Sequence, residues 1–226
     1  MSKRTVILTI AWTIAFAIAL SFDTTIAEYV HTSGLGHHVE GTRWAQAIKA
    51  PGDFRFTIGA ALLLLIVRQI RWKQAVFVLL AGAIGGANPL IKWIVGRTRP
   101  YKLPGTYELR PFTLHPFWHG IRGFAHQKDL CFPSGHECNA GALAAAMFVV
   151  WPKGWRIFLT LAVLVGIERV MENAHYASDV VGAMGFVMLG TAMLYRVLSN
   201  WMQPAQPRGF EVVTGDSQPE PSESST

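Results

Sequence analysis

The chain has 226 residues, of which 51% are hydrophobic and only 15% charged, and its mean hydropathy is +0.29. A soluble domain carries nearer a quarter charged residues, so this composition excludes an ordinary water-soluble fold and points to a membrane protein. The formal net charge is +6, but Lys and Arg are scattered between apolar runs with no basic stripe, which argues for anionic lipid headgroups and against nucleic acid as the partner.

Lys3 and Arg4 precede Thr5–Phe22, a run without charge. A signal peptide competes with a membrane span here, but its apolar core would be shorter, and a retained span is the expectation. Asp23–Asp53 is mixed and aromatic, and reads as a loop with a short interfacial helix around Arg43–Ala50. His31, His37 and His38 in that loop lack Cys or carboxylate partners at ligand spacing and read as surface histidines. Phe54–Val67 is the second expected span, and Arg68–Lys73 is a short basic turn. Ala75–Val95 is the third, with Gly82, Gly85, Gly86 and Pro89, residues that membrane helices tolerate and that let them pack closely. Gly96–Phe132 is a long aromatic and basic loop. Gly135–Trp151 is the fourth span, Pro152–Arg156 a tight basic turn, and Ile157–Met171 and Ser178–Leu198 the fifth and sixth.

Fold class is therefore all-α: a polytopic membrane bundle of about six helices over residues 1–198, followed by a polar tail, 199–226, expected to be disordered. Six spans put both termini and both tight basic turns on one side, which the positive-inside rule makes cytoplasmic. The long loop and the Glu168–Asp179 stretch then face outward. The two cysteines, Cys131 and Cys138, form neither a disulfide framework nor a zinc site. They read as small buried thiols, with a bridge open to them only in an oxidising compartment.

Three stretches bring polar groups to the outward face. In Lys92-Trp-Ile-Val-Gly-Arg-Thr-Arg99-Pro100 the two cations lie seven residues apart, close to two helical turns, so they share a face if the helix persists. Each alone reads as a snorkelling or anchoring side chain; together at one depth they favour an anion site. In Phe132-Pro-Ser-Gly-His136, Ser134 is a natural helix cap and Gly135 lets an anion approach the backbone amides. His136 is a candidate proton donor. Read alone, the stretch is an ordinary capped helix start. In Glu168–Asp179, His175 and Asp179 stand four residues apart, so the carboxylate can orient the imidazole and leave its other nitrogen free as nucleophile or base. Arg169 supplies a guanidinium suited to phosphate. A short polar turn between two helices is the plainer reading of this stretch.

The ordered set K-x(6)-R-P, P-S-G-H and R-x(5)-H-x(3)-D resembles the type-2 phosphatidic acid phosphatase superfamily, a group that also includes soluble acid phosphatases and vanadium haloperoxidases. The resemblance implies a membrane lipid phosphatase of the bacterial plasma membrane, with its site facing the periplasm or the outside. It implies that His175, oriented by Asp179, attacks phosphorus, that His136 protonates the leaving oxygen, and that Lys92, Arg99, Ser134, Gly135 and Arg169 hold the phosphate. No metal or other cofactor is implied. The family's third motif usually begins Ser-Arg, and here Glu168 stands in the place of the serine, either bracing Arg169 or repelling an anion. Glu137 and Glu172 lie near the expected site as well. Candidate substrates are phosphatidylglycerol phosphate, undecaprenyl diphosphate, phosphatidic acid and the phosphates of lipid A, the last slightly favoured by the long basic, aromatic loop. A lipid phosphotransferase of the same fold is the nearest rival. A transporter is a rival of another class, opposed by the clustering of polar groups at one end of the helices.

Overall fold

The computed structural model describes residues 3–68, 72–105 and 129–202. Residues 106–128, most of the long aromatic loop, lie outside them, as do residues 203–226, nearly all of the polar tail. The described helices are α1 (Lys3–Thr32), α2 (Leu35–Val39), α3 (Arg43–Lys49), α4 (Phe54–Arg68), α5 (Trp72–Gly86), α6 (Asn88–Val95), α7 (Gly135–Val150), α8 (Trp155–Met171) and α9 (Ala177–Met202). No strand occurs among the described residues, as the all-α expectation requires.

α7 is the central post, packed against α5, α8 and α9. Its buried residues include Cys138, Ala140, Gly141, Ala142, Leu143, Ala144, Ala146 and Met147. Between helices in lipid there is no hydrophobic gain from association, so van der Waals contact must supply the attraction, and small side chains let backbones approach closely enough to make it. Phe77, Val78, Leu143 and Met147 fill the layer below the motif stretches. Large apolar side chains such as Ile7, Leu8, Ile66, Leu189 and Val197 remain exposed on the outside of the bundle. A contiguous apolar exterior of this kind suits acyl chains and would aggregate in water.

Every one of the six expected spans is helical, but their lengths differ. Val6–Thr32, Trp72–Val95 and Ala177–Met202 are long and apolar enough to cross a membrane. α4, α7 and α8 have 15, 16 and 17 residues, or roughly 22 to 26 Å at 1.5 Å per residue, a little short of a 30 Å hydrocarbon core.

Three boundaries depart from expectation. α1 runs on through Asp23 to Thr32; Asp23 faces a guanidinium in the interior and so does not end the helix. The third span divides into α5 and α6, where Pro89 near the start of α6 cannot continue the hydrogen-bond ladder from α5. The helix carrying Lys92 does not persist to Arg99. Gly96 closes α6 in the left-handed region at φ 75°, a conformation that costs a residue with a Cβ about 1–2 kcal/mol. Arg99, held extended by the following proline, starts a 3₁₀ turn over Pro100–Lys102. At the other end of the chain, α9 continues to Met202, so residues 199–202 belong to the bundle rather than to the tail. The expected interfacial helix is present as α3, one residue shorter than expected.

Candidate active site

Backbone hydrogen bonds knit the three motif stretches together at one end of the bundle. Thr98 forms an antiparallel bridge with Leu130, and the Cys131 amide donates to the Arg97 carbonyl at 2.8 Å. The Ser134 amide donates to the Asp179 carbonyl at 3.2 Å, and the Tyr101 amide to the Asn173 carbonyl at 3.3 Å. The turn Pro152–Gly154 follows α7 at the opposite end. Lys73, at the start of α5, donates from Nζ to the Trp201 carbonyl at 2.7 Å near the carboxyl end of α9.

His175 lies between α8 and α9, only 3% exposed. Its Nδ1 faces Asp179 Oδ2 at 3.5 Å, an ion pair once the ring is charged, and makes no hydrogen bond among the described residues. This orientation leaves Nε2 on the side of the ring away from Asp179. Burial first, and then the cations Lys92, Arg99 and Arg169, hold the His175 imidazole well below its usual 6.5, so the ring is neutral near pH 7. Asp179 is itself tightly held: Oδ2 accepts from the Tyr176 amide at 2.9 Å, and Oδ1 accepts from Arg97 Nη1 at 2.7 Å.

Around this dyad stand Lys92, buried at the end of α6, Arg99, Ser134 and Arg169. Ser134 occupies the cap position of α7 as expected, but its hydroxyl makes no capping bond. Ser134 Oγ, Arg99 Nε and Arg169 Nε are all buried and make no hydrogen bond among the described residues. Three such atoms on three separate segments are costly unless an anion satisfies them. Arg99 Nη1 also donates to the Ala174 carbonyl at 3.5 Å, tying it to the residue before His175. A Cβ on Gly135 would come within 3.0 Å of Asn88 Oδ1, so the missing side chain also lets α6 pack closely on α7.

Above these groups opens a cleft of about 550 Å³ with Arg99, His136 and Arg169 among its lining. His31 and His37 are exposed, as expected, yet they also line this cleft, together with Glu40, Lys49 and Glu172. Gly52 seats the turn after α3 directly on His136, because a Cβ there would come within 2.9 Å of the His136 backbone. Glu168 is buried at 1% exposure. One oxygen lies 3.5 Å from Arg169 and the other 3.9 Å from Lys49. Glu172 pairs with Arg169 and, at 3.1 Å, with Lys49. Glu168 therefore braces Arg169, and Lys49 offsets the added negative charge. Glu137 is buried in α7 against α8 and is not among the cleft-lining residues. Cys131 and Cys138 are both free and buried.

Sequence reasoning passed over Asp23, Lys49 and Arg97. Arg97 stands within the first motif stretch, yet only its neighbours at 92 and 99 were singled out. Asp23 carried a usable signal, since an acid joined to an 18-residue uncharged run demands a partner. Lys49 carried none.

Comparison with known proteins agrees with this architecture. A family model described as the PAP2 superfamily matches residues 71–203, which include all three motif stretches. A lipid A 1-phosphatase of Rhizobium etli is 33% identical over 111 residues, covering 47% of this chain and 43% of that protein. A lipid A 1-phosphatase of Rhizobium johnstonii is 33% identical over 99 residues, covering 43% of this chain and 36% of that protein. The chain thus spans about two fifths of the length of these relatives. The crystal structure of a transmembrane PAP2 type phosphatidylglycerolphosphate phosphatase from Bacillus subtilis superposes with a TM-score of 0.56 at 18% identity, over 87% of this chain and 98% of that one. With the family match covering more than half of the sequence and the fold shared along most of it, the chain belongs to the PAP2 superfamily.

Proposed function

We propose that this protein is a membrane lipid phosphatase that hydrolyses a phosphomonoester or diphosphate on a lipid anchor, through a phosphohistidine intermediate and without metal. The observation that carries this reading is the ring of unpartnered buried donors on Arg99, Ser134 and Arg169 beside an Asp-oriented, neutral His175. Charge neutralisation and positioning are the main demands of phosphoryl transfer. Lys92, Arg99 and Arg169 neutralise the non-bridging oxygens, and the Ser134 hydroxyl and the first amides of α7 add donors. His175 Nε2 attacks phosphorus while His136, on the cleft side, protonates the departing lipid oxygen. Water then attacks the phosphohistidine, giving up its proton to the now neutral His136, and releases inorganic phosphate.

The names of the Rhizobium relatives make the 1-phosphate of a lipid A-type glycolipid the first substrate to try. The test is phosphate release by the purified protein from lipid A, undecaprenyl diphosphate, phosphatidylglycerol phosphate and phosphatidic acid, with no lipid acceptor and with chelator present. Release from at least one of them is expected. Transfer only when an acceptor lipid is added would make the protein a phosphotransferase, and turnover lost in chelator but restored by a divalent ion would reject the metal-free mechanism.

A further inference from the structure

Arg97 and its partners form a buried charge chain behind the His175–Asp179 dyad, and one member comes from α1, outside the residues that the family model matches. Arg97 is 0% exposed, Asp179 0% and Asp23 1%. Arg97 Nη1 donates to Asp179 Oδ1 at 2.7 Å, and Nη2 donates to Asp23 Oδ2 at 2.8 Å. Ser178 joins the two ends. Its hydroxyl accepts from Arg97 Nη1 at 2.7 Å and donates to Asp23 Oδ2 at 2.5 Å, and its amide donates to Asp23 Oδ1 at 2.9 Å. The guanidinium also lies 3.8 Å over the Tyr176 ring, which fixes its plane. Asp23 thus accepts three hydrogen bonds, from Arg97, the Ser178 hydroxyl and the Ser178 amide.

An arginine bonded to Asp179 alone would cancel the charge the dyad depends on. When His175 Nε2 bonds phosphorus with Nδ1 still protonated, the ring becomes cationic, and a neutral Asp–Arg pair stabilises that cation poorly. A second carboxylate on the far side of the guanidinium changes the balance. With Asp23 ionised, two carboxylates against one guanidinium leave one negative charge in excess, in a place where water does not screen it. We infer that Asp23 is a positioning residue for phosphoryl transfer, acting through Arg97 to keep Asp179 an effective counter-charge for the phosphorylated His175. This rests on the phosphatase reading above. The alternative is that Asp23 only fastens α1 to the bundle.

The test is a double-variant cycle on kcat, with p-nitrophenyl phosphate and the lipid substrate. Asp23→Asn keeps the shape and an acceptor for the Ser178 amide but removes the charge. The expected result is a kcat lower by roughly 10- to 100-fold, the equivalent of one or two pK units of lost electrostatic support. KM and inhibition by inorganic phosphate should stay within about 2-fold, because the phosphate cradle is untouched. In an Asp179→Asn background the same change should alter kcat by less than about 3-fold, since the group it acts through is gone. Equal fold losses in both backgrounds, or an unchanged kcat in Asp23→Asn, would overturn the inference. If Asp23→Asn does not fold, Asp23→Asn/Arg97→Gln removes both charges and leaves Asp179 singly negative. A kcat within about 10-fold of wild type then supports the inference, and one as low as Asp179→Asn overturns it. A wild type inactive on p-nitrophenyl phosphate and on every lipid sinks the phosphatase reading and this inference together, whereas an active wild type with equal losses sinks only the inference.

Discussion

At the scale of single residues, the two histidines have different surroundings and should have separable roles. His175 is buried against Asp179, while His136 lines the cleft, where the proposed mechanism places the leaving oxygen. A general acid matters most for a poor leaving group, and a lipid alkoxide is poorer than p-nitrophenolate. His136→Ala should lose about 100- to 10,000-fold on lipid phosphate and much less on p-nitrophenyl phosphate. His175→Ala should lose both activities, because no phosphohistidine forms. Trapping the phosphoenzyme decides the assignment: label that stays in His175→Ala and vanishes in His136→Ala would show the roles reversed.

The depressed pKa of His175 has a defined sign in its pH dependence. In the proposed mechanism the neutral ring is the nucleophile, so the His175 contribution to kcat/KM should persist below pH 6.5 and fall only at the lower folded-state value. Stability follows the same group in the opposite sense to a salt-bridged histidine. The unfolded chain takes up the proton first as pH falls through about 6.5, so His175 destabilises the fold progressively from there down to its folded pKa. A histidine titration followed by NMR, showing His175 protonating at or above 6.5, would contradict both statements.

At the scale of elements, two short features position the site. Gly96 ends α6 so that Lys92 and Arg99 stand on a helix and a loop rather than on one helical face. Gly96→Ala should cost about 1–2 kcal/mol through the left-handed conformation it imposes, read as a lower unfolding temperature in detergent with a raised KM. α3 contributes Lys49, which faces both carboxylates flanking Arg169. Lys49→Ala should raise KM for a phosphorylated lipid by roughly 3- to 30-fold, the weight of about 1–2 kcal/mol of lost charge compensation. Replacing Glu168 by the serine usual in the family should recover most of that loss. A Lys49→Ala/Glu168→Ser double variant no better than Lys49→Ala would show that Lys49 acts otherwise.

At the scale of the molecule, the six helical stretches and their basic turns predict sidedness: the carboxyl end inside, the cleft outside. In sealed right-side-out vesicles, a tag fused after Thr226 should resist external protease while lipid phosphate in the outer leaflet is hydrolysed. Cleavage of the tag from outside would invert the topology. The sequence by itself determined the helical class, the approximate spans and the three motif stretches that meet at one end of the bundle, because hydropathy and motif spacing are local properties written along the chain. It also placed α3, which in the structure is capped by Thr42 accepting from the Ala45 amide. Tertiary structure alone decided that α1 runs through Asp23, that Arg97 lies between two carboxylates, and that Lys49 answers Glu168. Those pairs join residues 74, 82 and roughly 120 positions apart. A buried charge adopts whatever conformation its partner permits, and no local pattern names a partner that only the packing of α1 and α3 onto the motif end brings near.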